Sequence, residues 1–123
     1  MLSFWRYAAG MKPVEQITVA ELTIMAERMY GNFVKAVVDI QKDLIVVDME
    51  MHVDGEQWLL ENGSNQADLW GINLHPAEFG TDRLIEFDSM INIRPRAGNL
   101  SRGVEDHVIQ TQIRVLVAAK VLP

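Results

Sequence analysis

The sequence predicts an α+β fold: a two-layer domain with a mainly antiparallel five-stranded sheet and two helices on one face, in the order α-β-β-β-β-β-α. Three observations predict it. A capped amphipathic segment covers residues 19–30, period-two alternation dominates residues 34–94, and a second helical pattern fills residues 104–121. Helices at the two ends of a run of strands can lie together on the apolar face those strands make.

The first helix is marked by Thr18 and Glu21, which have the spacing of a capping box, with Ile17 and Leu22 at the positions of a hydrophobic staple. Leu22, Met25, Ala26 and Met29 repeat at helical spacing, and Gly31 is placed to end the helix. The period then changes to two. Val34, Ala36, Val38 and Ile40 form one apolar stripe, and Ile45, Val47, Met49 and Met51 form the next. A two-residue turn at Lys42-Asp43 pairs Val38 with Val47 and sets Lys35 opposite Glu50. Asp54-Gly55 reads as a type I′ hairpin turn leading to a third strand at residues 57–61, with Asp48 opposite Glu61. Residues 69–74 make the fourth strand, ended by Pro76, and alternation over residues 84–94 makes the fifth, ended by Pro95. A loop of Arg, Gly, Asn and Ser then leads into the last helix, with Glu105 and Asp106 in its first turn. Residues 17–123 form a single domain, and residues 1–16 form an N-terminal extension or arm.

Composition limits the function classes. A chain of 123 residues without cysteine has no disulfide, no thiolate metal site and no cysteine nucleophile. Eleven Lys and Arg against seventeen Asp and Glu leave a net charge of -6, which opposes non-specific binding to nucleic acid or anionic membrane. No stretch reaches the roughly 20 apolar residues of a membrane span. Arg6 interrupts the apolar start where a secretory signal needs an unbroken core, so the cytoplasm is the expected compartment.

Val34-Lys35-Ala36-Val37-Val38-Asp39-Ile40, Leu69-Trp70-Gly71-Ile72-Asn73-Leu74 and Glu86-Phe87-Asp88-Ser89-Met90-Ile91-Asn92-Ile93-Arg94-Pro95 resemble a small prokaryotic family of unknown function. The run from Gly98 to Asp106 is similar to that family's ending. The resemblance spans residues 17–122 and implies no catalytic role, because the family carries no established activity. It implies that residues 1–10 are added to the family's usual start.

Two constellations could carry chemistry. Asp48, Glu50 and His52 fall on one face of a predicted strand, and Glu61, Glu86 and Asp88 on neighbouring strands could complete a hard-ligand metal site. Solvated cross-strand pairing is the plainer explanation of that stripe. The second constellation is Arg94, Arg96, Asn99, Ser101 and Arg102, where guanidinium groups surround the free N–H groups of a helix start. Its plainer explanation is local ion pairing with Ser101 as a cap. The expected function is a non-catalytic, cofactor-free binding module, dimeric, holding a small anion or a partner protein at the 94–102 loop. The alternatives are a metal-dependent hydrolase on the acidic face and a ribonuclease-like toxin, which the acidic charge opposes.

Overall fold

The computed structural model describes residues 10–123. It has the α+β class expected, built on a five-stranded antiparallel sheet. Strand β1 (Lys12–Pro13) is followed by β2 (Ile17–Thr18), helix α1 (Val19–Arg28), β3 (Val34–Asp39) and β4 (Leu44–Val47). Helix α2 (His52–Glu61), β5 (Leu69–Leu74), β6 (Ile85–Glu86), helix α3 (His107–Lys120) and β7 (Val121–Leu122) complete the order. The sheet order is β1-β4-β3-β5-β6, and β2 pairs in parallel with β7, tying the entry to α1 to the exit from α3.

Local signals predict α1 well. Glu21 N–H donates to Thr18 Oγ1, and the Glu21 carboxylate accepts from Thr18 N–H, so the capping box is present. That pairing holds the Glu21 carboxyl below its ordinary range, the Thr18 backbone bond acting most strongly. Leu22, Met25 and Ala26 of α1 and Ile113, Leu116 and Val117 of α3 pack on Ala36, Val38, Ile45, Val47, Trp70 and Ile72. The two expected helices therefore share one sheet face, as the two ends of the sequence imply.

The hairpin expected at Asp54-Gly55 is instead the interior of α2, so strand 57–61 does not exist and the opposite sheet face is also covered. The architecture has three layers rather than two. The buried residues of α2 are His52, Gly55, Glu56 and Leu59, a helical stripe in which only Leu59 is a large apolar side chain. Gly55 serves contact rather than a turn: a Cβ there would lie 2.7 Å from Met49 Sδ and 2.9 Å from Val37 Cγ2. Its bare backbone lets α2 settle on the sheet, closing a second core of Val37, Val46, Met49, Leu59 and Leu69.

Register and strand length also differ from expectation. Val38 faces Ile45 and Ala36 faces Val47, a shift of two residues that keeps every side chain on its expected face. Asp39 causes the longer turn, because its Oδ1 accepts the N–H groups of Gln41 and Lys42 at 2.9 Å each. Strand β4 stops at Val47, and Asp48 adopts φ 68°, a left-handed conformation that turns the chain out of the sheet. Lys35 consequently never meets Glu50 across a strand pair. Of the predicted strand 84–94 only Ile85–Glu86 joins the sheet, Arg94 making an isolated bridge to Asn99, and the last helix begins at His107 rather than near residue 104.

The expected arm divides at residue 10. Residues 1–9 lie outside the described residues, whereas Lys12 and Pro13 pair with Val47 and Val46 as an edge of the sheet. Among the described residues no helix is long and apolar enough to cross a membrane.

Candidate functional site

Beyond β6 the chain lies along the outer edge of β5 as a run of tight turns held by side-chain amides. Asn92 acts there as a substitute strand: its Oδ1 accepts Gly71 N–H at 2.8 Å, and its Nδ2 donates to Gly71 O at 2.9 Å. Gly71 has no side chain because Ser89 and Ile91 occupy the space, and a Cβ would meet Ser89 Cβ at 2.5 Å. Asn99 Nδ2 donates to the carbonyls of Asn92, Ser101 and Gly103, while its Oδ1 accepts Glu105 N–H. Both asparagines are buried, so the loop has a polar skeleton in place of an apolar one.

The five loop residues singled out from the sequence take different places in this scaffold. Arg94 turns inward: its side chain is 13% exposed, its Cζ lies 4.7 Å over the Trp70 ring, and its Nη2 donates to Leu69 O. Glu56 of α2 is the nearest acid, 4.0 Å from Nη2. Arg94 Nε and Nη1 and Glu56 Oε2 are buried without hydrogen-bond partners. Desolvation lowers the Arg94 pKa and Glu56 opposes that shift, yet a guanidinium stays charged at any working pH. Arg96 is exposed and has no acidic partner among the described residues. Asn99 is structural, Ser101 Oγ accepts Gly103 N–H at 3.2 Å, and Arg102 Nε donates to Asp88 at 2.6 Å.

The N–H groups of Leu100 and Ser101 turn inward ahead of the helix rather than at its start, and they are occupied. Leu100 and Ser101 both donate at 2.8 Å to one oxygen of Glu105, so the anion in that backbone nest is the chain's own carboxylate. Those bonds, the Leu100 backbone bond foremost, hold the Glu105 carboxyl below its usual range. Asp106 caps α3, accepting Val108 N–H at 2.8 Å, so Ser101 is not the helix cap. A cavity lies beside the loop with a lining that includes neither Leu100 nor Ser101. Its volume is about 560 Å³, and it is lined by Gln66, Ala67, Ile93, Arg94, Pro95, Arg96 and Ala97.

The acidic stripe is dispersed because its strand does not exist. Asp48 sits in the turn before α2, bonded to Arg28 at 3.2 Å, with its pKa raised chiefly by burial. Glu50 is exposed, and its carbonyl accepts the Tyr30 hydroxyl. Glu61 is at the far end of α2, within reach of Gln57 Nε2 at 3.1 Å. His52, Glu86 and Asp88 do gather, around a residue that sequence reasoning missed, Asn73. Asn73 Nδ2 donates to Glu86 at 3.0 Å and lies 3.4 Å from Asp88 O, and His52 Nε2 donates to the O of the adjacent Ile72 at 2.8 Å. Among the described residues no three His, Asp or Glu converge closely enough to hold a metal ion.

A family model described as a protein of unknown function, DUF5674, matches residues 13–120. The chain belongs to that family. The match runs from β1 to the last residue of α3, so the Asn-held loop and the polar row around Asn73 both lie within the DUF5674 span. It bears out the resemblance drawn from the sequence motifs. Comparison with curated proteins and with solved structures gives no match.

Proposed function

We propose that the chain is a non-catalytic binding module that takes a small anion, or an acidic segment of a partner, at the 94–102 loop. The observation that carries the reading is the pair of arginines at one cavity. Among the described residues Arg96 is exposed and unpaired, while Arg94 lines the same cavity and has two buried N–H-bearing nitrogens lacking acceptors. Two guanidinium charges face a single opposing carboxylate, Glu56, so the local field favours an anion despite the net charge of -6. Ala67, Ile93, Pro95 and Ala97 give the same cavity apolar walls, which suits a carboxylate or phosphate carried on an organic body. The Asn92 and Asn99 bonds hold the loop in one geometry before binding, which lowers the ordering cost of association.

In this reading the roles divide. Arg96 meets the ligand and Arg94 supplies charge from the same cavity lining. Asn99 and Ser101 shape the loop, and Arg102 belongs to Asp88. A second copy of the chain is one partner of the right chemistry, since acidic groups such as Glu50 and Glu86 are exposed on the same molecule. A cytoplasmic setting accords with the cysteine-free sequence.

The test is thermal unfolding with inorganic phosphate, for wild type, Arg96→Ala and Glu105→Gln. Phosphate at ten times its Kd should stabilise wild type by about 1.4 kcal/mol. Arg96→Ala should remove that gain while leaving the ligand-free midpoint within about 1 °C, because exposed arginines add little to folding. Glu105→Gln should lower the ligand-free midpoint yet keep the phosphate gain. A gain that survives Arg96→Ala but vanishes in Glu105→Gln would move the anion to the backbone nest and refute this assignment.

A further inference from the structure

A second site is built independently of the loop, on the α2 side of the sheet. Register places Lys35 of β3, Asn73 of β5 and Glu86 of β6 in one row, since Lys35 pairs with Asn73 and Asn73 with Glu86. Asn73 is 5% exposed, and its Oδ1 is buried without a hydrogen-bond partner among the described residues. Its Nδ2 is already committed to Glu86, so the free group is specifically an acceptor. Leaving a buried carbonyl without a donor is unfavourable, and a bound donor would recover that loss.

The groups around Asn73 define what that donor is attached to. His52 Nε2 donates to Ile72 O at 2.8 Å, which in the neutral ring leaves the lone pair on Nδ1. Ile72 precedes Asn73 on β5, so that bond sets the His52 ring beside the row. Glu86 is shared by Asn73 and by His75 Nε2 at 3.1 Å, and Asp88 is bound by Arg102. The two carboxylates are thus internally matched. Lys35 is the cation left over: its Nζ lies 5.0 Å from the Tyr30 ring centroid and has no acidic partner among the described residues.

We propose that the row of Lys35, Asn73 and His52 binds a small ligand bearing a hydroxyl group next to an anionic group. The hydroxyl donates to Asn73 Oδ1, and the anion lies against the Lys35 ammonium. A plain anion satisfies only Lys35 and leaves Asn73 orphaned. An ammonium donor would satisfy Asn73 while facing Lys35 repulsion. A hydroxylated carboxylate and a hydroxylated phosphate share the required chemistry, and the probes below separate them.

Full-length protein is titrated with glycolate, acetate, glycerol 3-phosphate and inorganic phosphate while the His52 ring resonances are followed by NMR. At least one hydroxylated probe should shift those resonances and bind about tenfold or more tightly than its plain counterpart, acetate or phosphate. Whichever pair shows the preference identifies the anion. Asn73→Leu should abolish the preference by removing the acceptor. Lys35→Gln, at a half-buried position, should weaken both members of the pair while the preference remains. Arg96→Ala should change neither, which separates this site from the loop. Equal binding of plain and hydroxylated probes overturns the proposal, as does a preference that persists in folded Asn73→Leu. If Asn73→Leu does not fold, undiminished binding in Lys35→Gln overturns it instead.

Discussion

Asp48 shows how one residue can be legible in the sequence and still misread. Its carboxylate is expected to suffer from a neighbour, and it does carry a raised pKa, but burial causes the shift rather than Glu61. Gly10, at φ 102°, passes so close that a Cβ there would meet Asp48 Oδ2 at 2.5 Å. The residue also holds φ 68°, which asparagine tolerates at least as well as aspartate. Asp48→Asn should therefore stabilise the protein at neutral pH by up to about 1 kcal/mol, since its partner Arg28 is 60% exposed and loses little. The sign with pH follows from linkage. A carboxyl whose folded pKa is raised contributes most below its unfolded pKa of about 3.9, and that contribution is lost as pH rises through the folded value. The advantage of the variant should consequently shrink as pH falls toward about 4, as urea unfolding at pH 7 and pH 4 would measure. An equal or larger advantage at low pH would contradict burial as the cause.

At the scale of elements, legibility tracked whether the signal was local. Helix α1 announces itself by Thr18, Glu21 and a regular apolar stripe, all within one stretch of chain. Strands β3 and β5 are apolar enough to be read without their partners. Helix α2 was hidden because the residues it buries are His52, Gly55 and Glu56, whose reason lies in Met49, Val37 and Arg94 elsewhere in the fold. Asp54-Gly55 has the composition of a turn, and only the close approach of helix to sheet explains that glycine. The outer edge of β5 was hidden for a similar reason: its partner is the Asn92 side chain rather than a strand. Asn92→Ala should cost about 3 kcal/mol, because Gly71 N–H and Gly71 O lose these bonds and Arg102 O is left with Ser89 N–H alone. It should also promote self-association through the unpaired β5 edge, which light scattering would detect. A variant with the wild-type scattering mass and an unchanged melting temperature would show that the amide staple is dispensable.

For the whole molecule, the segments entering α1 and leaving α3 meet in the β2–β7 pairing, and β1 closes the sheet beyond β4. Truncation should separate the two parts of the expected arm. A chain beginning at Gly10 keeps every described element and should retain the wild-type melting temperature. A chain beginning at Ile17 loses β1, together with the Val14 N–H to Ile45 O bond of 3.0 Å, and should melt several degrees lower. Equal losses in both truncations would make residues 1–9 part of the fold. The candidate site, in contrast, was only half legible. The sequence located the arginines of the loop, but not that the helix starts only at His107, nor that Glu105 fills the Leu100–Ser101 nest and leaves Arg96 facing a separate cavity. That distinction is settled most directly by a phosphate titration of wild-type protein followed through backbone amide and arginine side-chain NMR signals. The anion-binding account predicts saturable shifts at Gln66, Ala67, Ile93 and the Arg96 side chain, with Leu100 and Ser101 unmoved. Shifts centred on Leu100 and Ser101, or none that saturate anywhere in the loop, would contradict it.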